Sequence, residues 1–136
     1  MSYRLLLGYQ LAIGLADTVT GILLIQAPEL TLRLMRLRLA AGAGPLLGLV
    51  GAFVFAVGLC CLHGAWIAYR RSSAERLDTV WLLTGIVRAS VALLVLGSVR
   101  SGALEPGWLP VGIFDGACAL VQAIGLLRHW SADALA

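Results

Sequence analysis

The apolar stretch from Val80 to Val99 carries a single charge, Arg88, near its middle. The stretch is long enough to cross a bilayer as a helix. An arginine held at that depth costs about 2.5–3.5 kcal/mol on insertion scales, so it is rarely left facing lipid. It points instead into a bundle, where a carboxylate can meet it. Any fold open to this chain has to bring acidic side chains to that guanidinium.

The rest of the sequence provides the bundle. The chain is 60% hydrophobic and 12% charged, with a mean hydropathy of +0.94, whereas a soluble domain carries about 25% charged residues. Apolar segments at about residues 5–26, 45–67, 79–99 and 109–128 take up most of the 136 residues, as one integral membrane domain. The expected fold class is all-α: a four-helix transmembrane bundle with a short amphipathic interfacial helix between helices 1 and 2. The first apolar run is about 20 residues, beyond the 7–15 of a signal-peptide core, and no small-x-small cleavage site follows it. It is therefore read as the first span.

All ten basic residues are arginines, and nine of them flank apolar segments. That is the pattern of topology signals and lipid-headgroup contacts, not of a nucleic-acid binder. With four spans, both termini and the second link share a side. Five arginines lie there (Arg4, Arg70, Arg71, Arg76, Arg128) against four opposite (Arg33, Arg36, Arg38, Arg100). The excess favours termini on the cytoplasmic side of the cell's inner membrane.

Between the first two spans, Pro28 suits a first helical position and Glu29 the first turn. The leucines and Met35 of this segment are expected to sink towards acyl chains while Arg33, Arg36 and Arg38 meet phosphates. Trp66, Tyr69, Trp108 and Trp130 complete the expected interfacial contacts.

Small residues mark where helices approach. Gly14 and Gly21 share a face of the first span, and Gly51 and Gly58 share one on the second. Gly44/Gly48 and Gly112/Gly116 form Gly-x-x-x-Gly pairs. Cys60, Cys61 and Cys118 all lie in apolar segments, and the adjacent pair lacks Cys-x-x-Cys spacing, so they read as small hydrophobes. The two histidines, His63 and His129, sit at the membrane edges, so neither a bis-histidine haem nor a metal is expected. No cofactor is implied. No Ser/His or Cys/His set lies at matched depth, which makes an enzyme the least favoured class.

The polar residues inside the spans fall into layers. Asp17 in the first span and Asp115 in the antiparallel fourth lie at nearly equal depth. Gln10 precedes Asp17 by seven residues and Gln122 follows Asp115 by seven. Seven residues is close to two turns, so each glutamine shares a face with its aspartate. Arg88 falls between the layers, within side-chain reach of both carboxylates. Thr84, four residues before it, is expected to add a hydroxyl. The expected site is thus Asp17, Arg88 and Asp115, with Gln10, Gln122 and Thr84 around them. Two carboxylates against one guanidinium leave a net negative charge, so one carboxyl is expected to hold or share a proton. Such a cluster fixes helix register, or serves as a proton or ligand site.

Two segments, Gly-Leu-Val-Gly-Ala-Phe-Val-Phe-Ala-Val-Gly-Leu (Gly48–Leu59) and Thr-Gly-Ile-Val-Arg-Ala (Thr84–Ala89), carry a resemblance. With the chain's size and four closely spaced spans, they make it resemble the small bacterial DoxX-like membrane proteins, many of them uncharacterised. That resemblance implies a four-helix bundle and, for some members, an accessory subunit of a quinone-linked oxidoreductase. It carries over no catalytic residue. The leading expectation is a non-catalytic membrane subunit or a bundle binding a lipophilic, quinone-like molecule. Its partners would be membrane lipids, a larger membrane complex or further copies of itself. The alternative is a small oligomeric transporter or proton-coupled carrier working through Asp17, Asp115 and Arg88.

Overall fold

The structure, a computed structural model, describes residues 1–37 and 42–136. Its elements run α1 (Tyr3–Gln26), α2 (Pro28–Leu34), α3 (Gly44–Tyr69), α4 (Ala74–Arg100), a 3-10 turn (Pro106–Trp108), α5 (Leu109–Leu127) and α6 (Trp130–Leu135). No strand occurs among the described residues. Four helices, with the 3-10 turn counted into the last, are long and apolar enough to cross a membrane. The chain is an all-α bundle and a multi-pass membrane protein.

Local signals set the helix ends. Pro28 opens α2, Pro45 lies in the first turn of α3 and Pro110 in that of α5, where the missing N–H is no loss. The α4 N-terminus is capped by Ser73, whose hydroxyl accepts from the Arg76 amide at 3.2 Å. His129 takes a left-handed φ of 53° and turns the chain from α5 into α6.

Two apolar clusters close the ends of the bundle. Leu6, Ile67, Ala68, Leu77, Trp81 and Ala134 gather at one end, with Met1, Tyr9 and Trp130 packed against them. Leu24, Leu32, Leu37 and Leu47 gather at the other, with Met35, Val54 and Trp108. The four long helices therefore alternate in direction. Outside these clusters the surface is apolar: Leu93, Leu94 and Phe53 are each more than two-thirds exposed. Gln10, Asp17, Thr84, Arg88 and Gln122 are buried. This inversion suits a lipid solvent, in which polar groups must find partners within the protein.

The closest packing joins α1 to α3 and α4 to α5. Glycines make the first of these seams. A Cβ on Gly58 would stand 2.5 Å from the Thr18 amide nitrogen and 3.0 Å from the Gly14 carbonyl oxygen. One on Gly21 would meet the Phe55 backbone just as closely, and one on Gly14 would meet Leu62. Along α5, Gly112 lies against Val95 and Leu96, and Gly116 against Ala92. Gly44 and Gly48, by contrast, meet nothing within 4 Å among the described residues, so their Gly-x-x-x-Gly spacing joins no described helix.

The sequence reading needs three adjustments. The third long helix begins at Ala74, inside what reads as a polar link, because Leu77 and Trp81 are fully buried there. The segment after the first span does form a helix, but Thr31 and Leu32 turn into the bundle and Met35 packs behind them. Leu30 and Leu34 face outward, as do Glu29, Arg33 and Arg36. Finally, α6 follows the last span and is held by a Ser131 hydroxyl that donates to the Asp78 carboxylate.

The glycine seam gives a direct test. Gly58→Val should destabilise the protein by ~1–3 kcal/mol or more, as overpacking does. Gly48→Val should be close to neutral, since nothing lies near its Cβ. Thermal unfolding of both variants in a neutral detergent measures the difference.

Candidate functional site

The buried face of α1 reads Leu6, Gln10, Gly14, Asp17, Gly21 and Leu24, and that of α4 reads Leu77, Trp81, Thr84, Arg88, Ala92 and Val95. Steps of three and four residues keep each set on one stripe. On α5, Gly112, Cys118, Gln122 and Gly125 are buried, with Asp115 on the same side. Three helices thus converge on one polar group.

Arg88 stands at the centre, 2% exposed. Its Nη1 donates to Asp115 Oδ1 at 2.6 Å, and its Nη2 donates to Asp17 Oδ2. Each carboxylate is engaged through one oxygen. The Phe114 ring centroid lies 5.7 Å from the guanidinium carbon, within cation–π range. Such charge-assisted bonds are about twice as strong as neutral ones. Much of their effect is to avoid an unpaired ion: removing one member of a buried pair costs about 3–5 kcal/mol.

The arrangement bridges the bundle. Asp17 belongs to the α1/α3 pair, while Arg88 and Asp115 belong to the α4/α5 pair. The Arg88–Asp17 ion pair is a polar bridge between α1 and α4. Beside it, the Tyr9 hydroxyl of α1 donates to the Cys118 carbonyl of α5 at 3.4 Å, and its ring meets Trp81 edge-on at 5.8 Å.

The remaining expected members are all buried, but their partners differ. Thr84 does not reach Arg88. Its hydroxyl donates to the Val80 carbonyl at 2.7 Å and accepts from Gln122 Nε2 at 2.9 Å. A threonine hydroxyl in a helix reaches back to its own preceding turn, which takes it away from the residue four positions later. Gln10 lies against Gly64, where any Cβ would collide with its amide nitrogen. The Gln10 amide, Trp81 Nε1, Gln122 Oε1 and Arg88 Nε have no protein hydrogen-bond partner among the described residues.

Of the interfacial set, Arg33, Arg36, Trp66 and Tyr69 are exposed. Arg70 stands over the Trp66 ring at 5.5 Å. Trp108 and Trp130 instead pack partly into the end clusters. Arg38 lies outside the described residues. No group of three or more metal-ligating side chains occurs among the described residues. Sequence reasoning overlooked Trp81 and Tyr9. Trp81 lies seven residues before Arg88, the same two-turn spacing that relates Gln10 to Asp17, and so was findable.

Compared with protein-family models, curated proteins and solved structures, the chain gives no match.

The geometry orders a set of variants. Arg88→Leu leaves two carboxylates without a counter-ion and should be the most destabilising, by about 3–5 kcal/mol. Asp115→Asn leaves one carboxylate facing one guanidinium and should cost least. Asp17→Asn, which removes the bridge to α1, should fall between them. The Arg88→Leu/Asp17→Asn pair should be less destabilised than Arg88→Leu alone. Melting temperatures in detergent give the order, and a double variant no better than Arg88→Leu would refute the pairing.

Proposed function

We propose that this chain is a non-catalytic integral membrane subunit, a rigid four-helix scaffold of the bacterial inner membrane with cytoplasmic termini. One observation carries the reading: Arg88 spends both terminal nitrogens on carboxylates from α1 and α5. A guanidinium tied in this way locks two helix pairs together and leaves the lipid-facing leucines for lipids and for a membrane partner. The chain's resemblance to DoxX-like proteins points the same way, with a larger quinone-linked membrane complex as the expected setting. A quinone-like molecule bound at the bundle surface fits the same role, as does association with further copies.

A small proton-coupled carrier is the second reading, favoured by the excess of carboxylate over guanidinium in the cluster. Reconstitution separates the two. Liposomes holding wild-type protein and a pH-sensitive dye should show no proton flux above protein-free liposomes. Asp17→Asn and Asp115→Asn should change melting temperature without changing flux. A wild-type flux abolished by Asp115→Asn in a protein that stays folded would establish the carrier instead.

A further inference from the structure

We infer that the groove between α1 and α3, at the end of the bundle that holds both termini, binds one anionic phospholipid. An acyl chain lies between the helices and the phosphate sits on Arg70 and Arg71. The inference goes beyond the scaffold reading, which needs lipid only as a solvent.

The groove forms where the two helices part. Further along, α1 and α3 are pressed together, with Gly58 against Thr18 and Gly14 against Leu62. Towards the terminal end, Leu7 and Leu11 of α1 and Leu62, Ala65, Trp66 and Tyr69 of α3 line a recess of about 210 Å³. Its α3 wall, from Leu62 to Tyr69, runs about 10 Å along the helix axis. The recess has room for a length of one hydrocarbon chain, and its lining side chains are hydrocarbon and aromatic.

The mouth of the groove is cationic. The Arg70 guanidinium stands 5.5 Å from the Trp66 ring, which in turn lies 6.0 Å from Tyr69. The Arg71 guanidinium stands 4.6 Å from the ring of Tyr3, one helical turn before Leu7. The two cations are therefore seated on the aromatic ends of both walls. Both side chains are exposed, and among the described residues no carboxylate lies within ion-pair distance of either. Aromatic faces position a guanidinium without neutralising it, so its N–H groups remain free to donate. Arg71 also takes a left-handed φ of 47° just past the end of α3, a position where glycine is the usual residue. The backbone alone favours glycine there, so the side chain is what the arginine adds.

Charge complementarity and the apolar recess together specify the occupant. Two unpaired guanidiniums match an anion with several acceptor oxygens, as a phosphodiester has. The recess below them requires that anion to carry a hydrocarbon chain. A zwitterionic lipid brings a second cation to the same two arginines, so a lipid of net negative charge fits better.

Native mass spectrometry of the full chain, released from a neutral detergent, counts bound lipids and protein copies together. The protein is titrated with phosphatidylglycerol or phosphatidylcholine of the same acyl chains. The expected result is one phosphatidylglycerol per chain, held more tightly than phosphatidylcholine and not displaced by equimolar inorganic phosphate. Arg70→Gln and Arg71→Gly should each weaken it about fivefold. Arg128→Gln, the same charge change at the same end but outside the groove lining, should not. Leu11→Trp, filling the groove from its exposed side, should weaken both lipids. Melting temperatures in lipid-free detergent should stay at the wild-type value for Arg70→Gln and stay or rise for Arg71→Gly. Equal retention of the two lipids would overturn the inference, as would equal losses from Arg70→Gln and Arg128→Gln. Displacement by phosphate alone would reduce the site to an anion contact and overturn it too. A change in the number of protein copies with Leu11→Trp, at unchanged lipid count, would make the groove a protein interface instead. The scaffold reading is judged separately, by proton flux.

Discussion

A guanidinium cannot be deprotonated to escape a low-dielectric setting, so burying Arg88 imposes a condition on everything around it. At 2% exposure it is enclosed by protein, and lipid cannot solvate a charge. The fold meets that condition with oxygens from two other helices, one bonded at 2.6 Å and the other equally direct. This requires α1, α4 and α5 to meet at one depth, with Asp17 and Asp115 turned inward. The helix order and register follow from that meeting as much as from apolar packing, because in a membrane there is little hydrophobic gain in pressing leucine against leucine instead of lipid.

What apolar packing does contribute is closeness. Where Gly14, Gly21, Gly51 and Gly58 face one another across α1 and α3, backbones approach without side chains between them. Dispersion and shape then do the work that the hydrophobic effect does in water. At the α4/α5 seam Gly112 instead receives the Val95 and Leu96 side chains, and Gly116 lies in ordinary contact with Ala92. The bundle is thus two close helix pairs, and the polar cluster is the main tie between their far members, α1 and α5. The pairs would pack without Arg88. Arg88 adds a fixed polar point to a register that the end cluster around Leu6 and Trp81, the Tyr9 contacts and the α3–α4 packing also hold.

Much of this was readable in the residues, and the reasons differ by element. The Asp17–Arg88–Asp115 set was legible because helix rise is constant: equal counts from opposite membrane faces put residues at equal depth. The long helices were legible from apolar length. The start of α4 was not, because Arg70, Arg71, Glu75, Arg76 and Asp78 give the segment a loop's composition. Its first buried residues, Leu77 and Trp81, are interspersed with those charges on a helical period. The Thr84 error has another source. Depth arithmetic places a residue on a face but says nothing about which of several acceptors a short hydroxyl will choose. The inward turn of Leu32 and Met35 was likewise hidden, since a leucine–arginine alternation looks the same whether its apolar side covers a bundle end or an acyl layer.

The stoichiometry of the cluster separates a lock from a site. A lock needs one carboxylate per guanidinium, and an Arg88–Asp17 pair would by itself join the two helix pairs. Asp115 adds a second hydrogen bond but sits on α5, which already packs on α4 along Gly112 and Gly116. The extra bond therefore ties together helices that are tied anyway, while bringing a further charge into an apolar region. As a stabilising device alone, a neutral amide at position 115 would serve as well with less desolvation. The aspartate is the more expensive choice, and it is also the more exposed of the two carboxylates. Structural economy accounts for Asp17 and Arg88. It does not account for Asp115, whose charge the packing of α5 on α4 does not require.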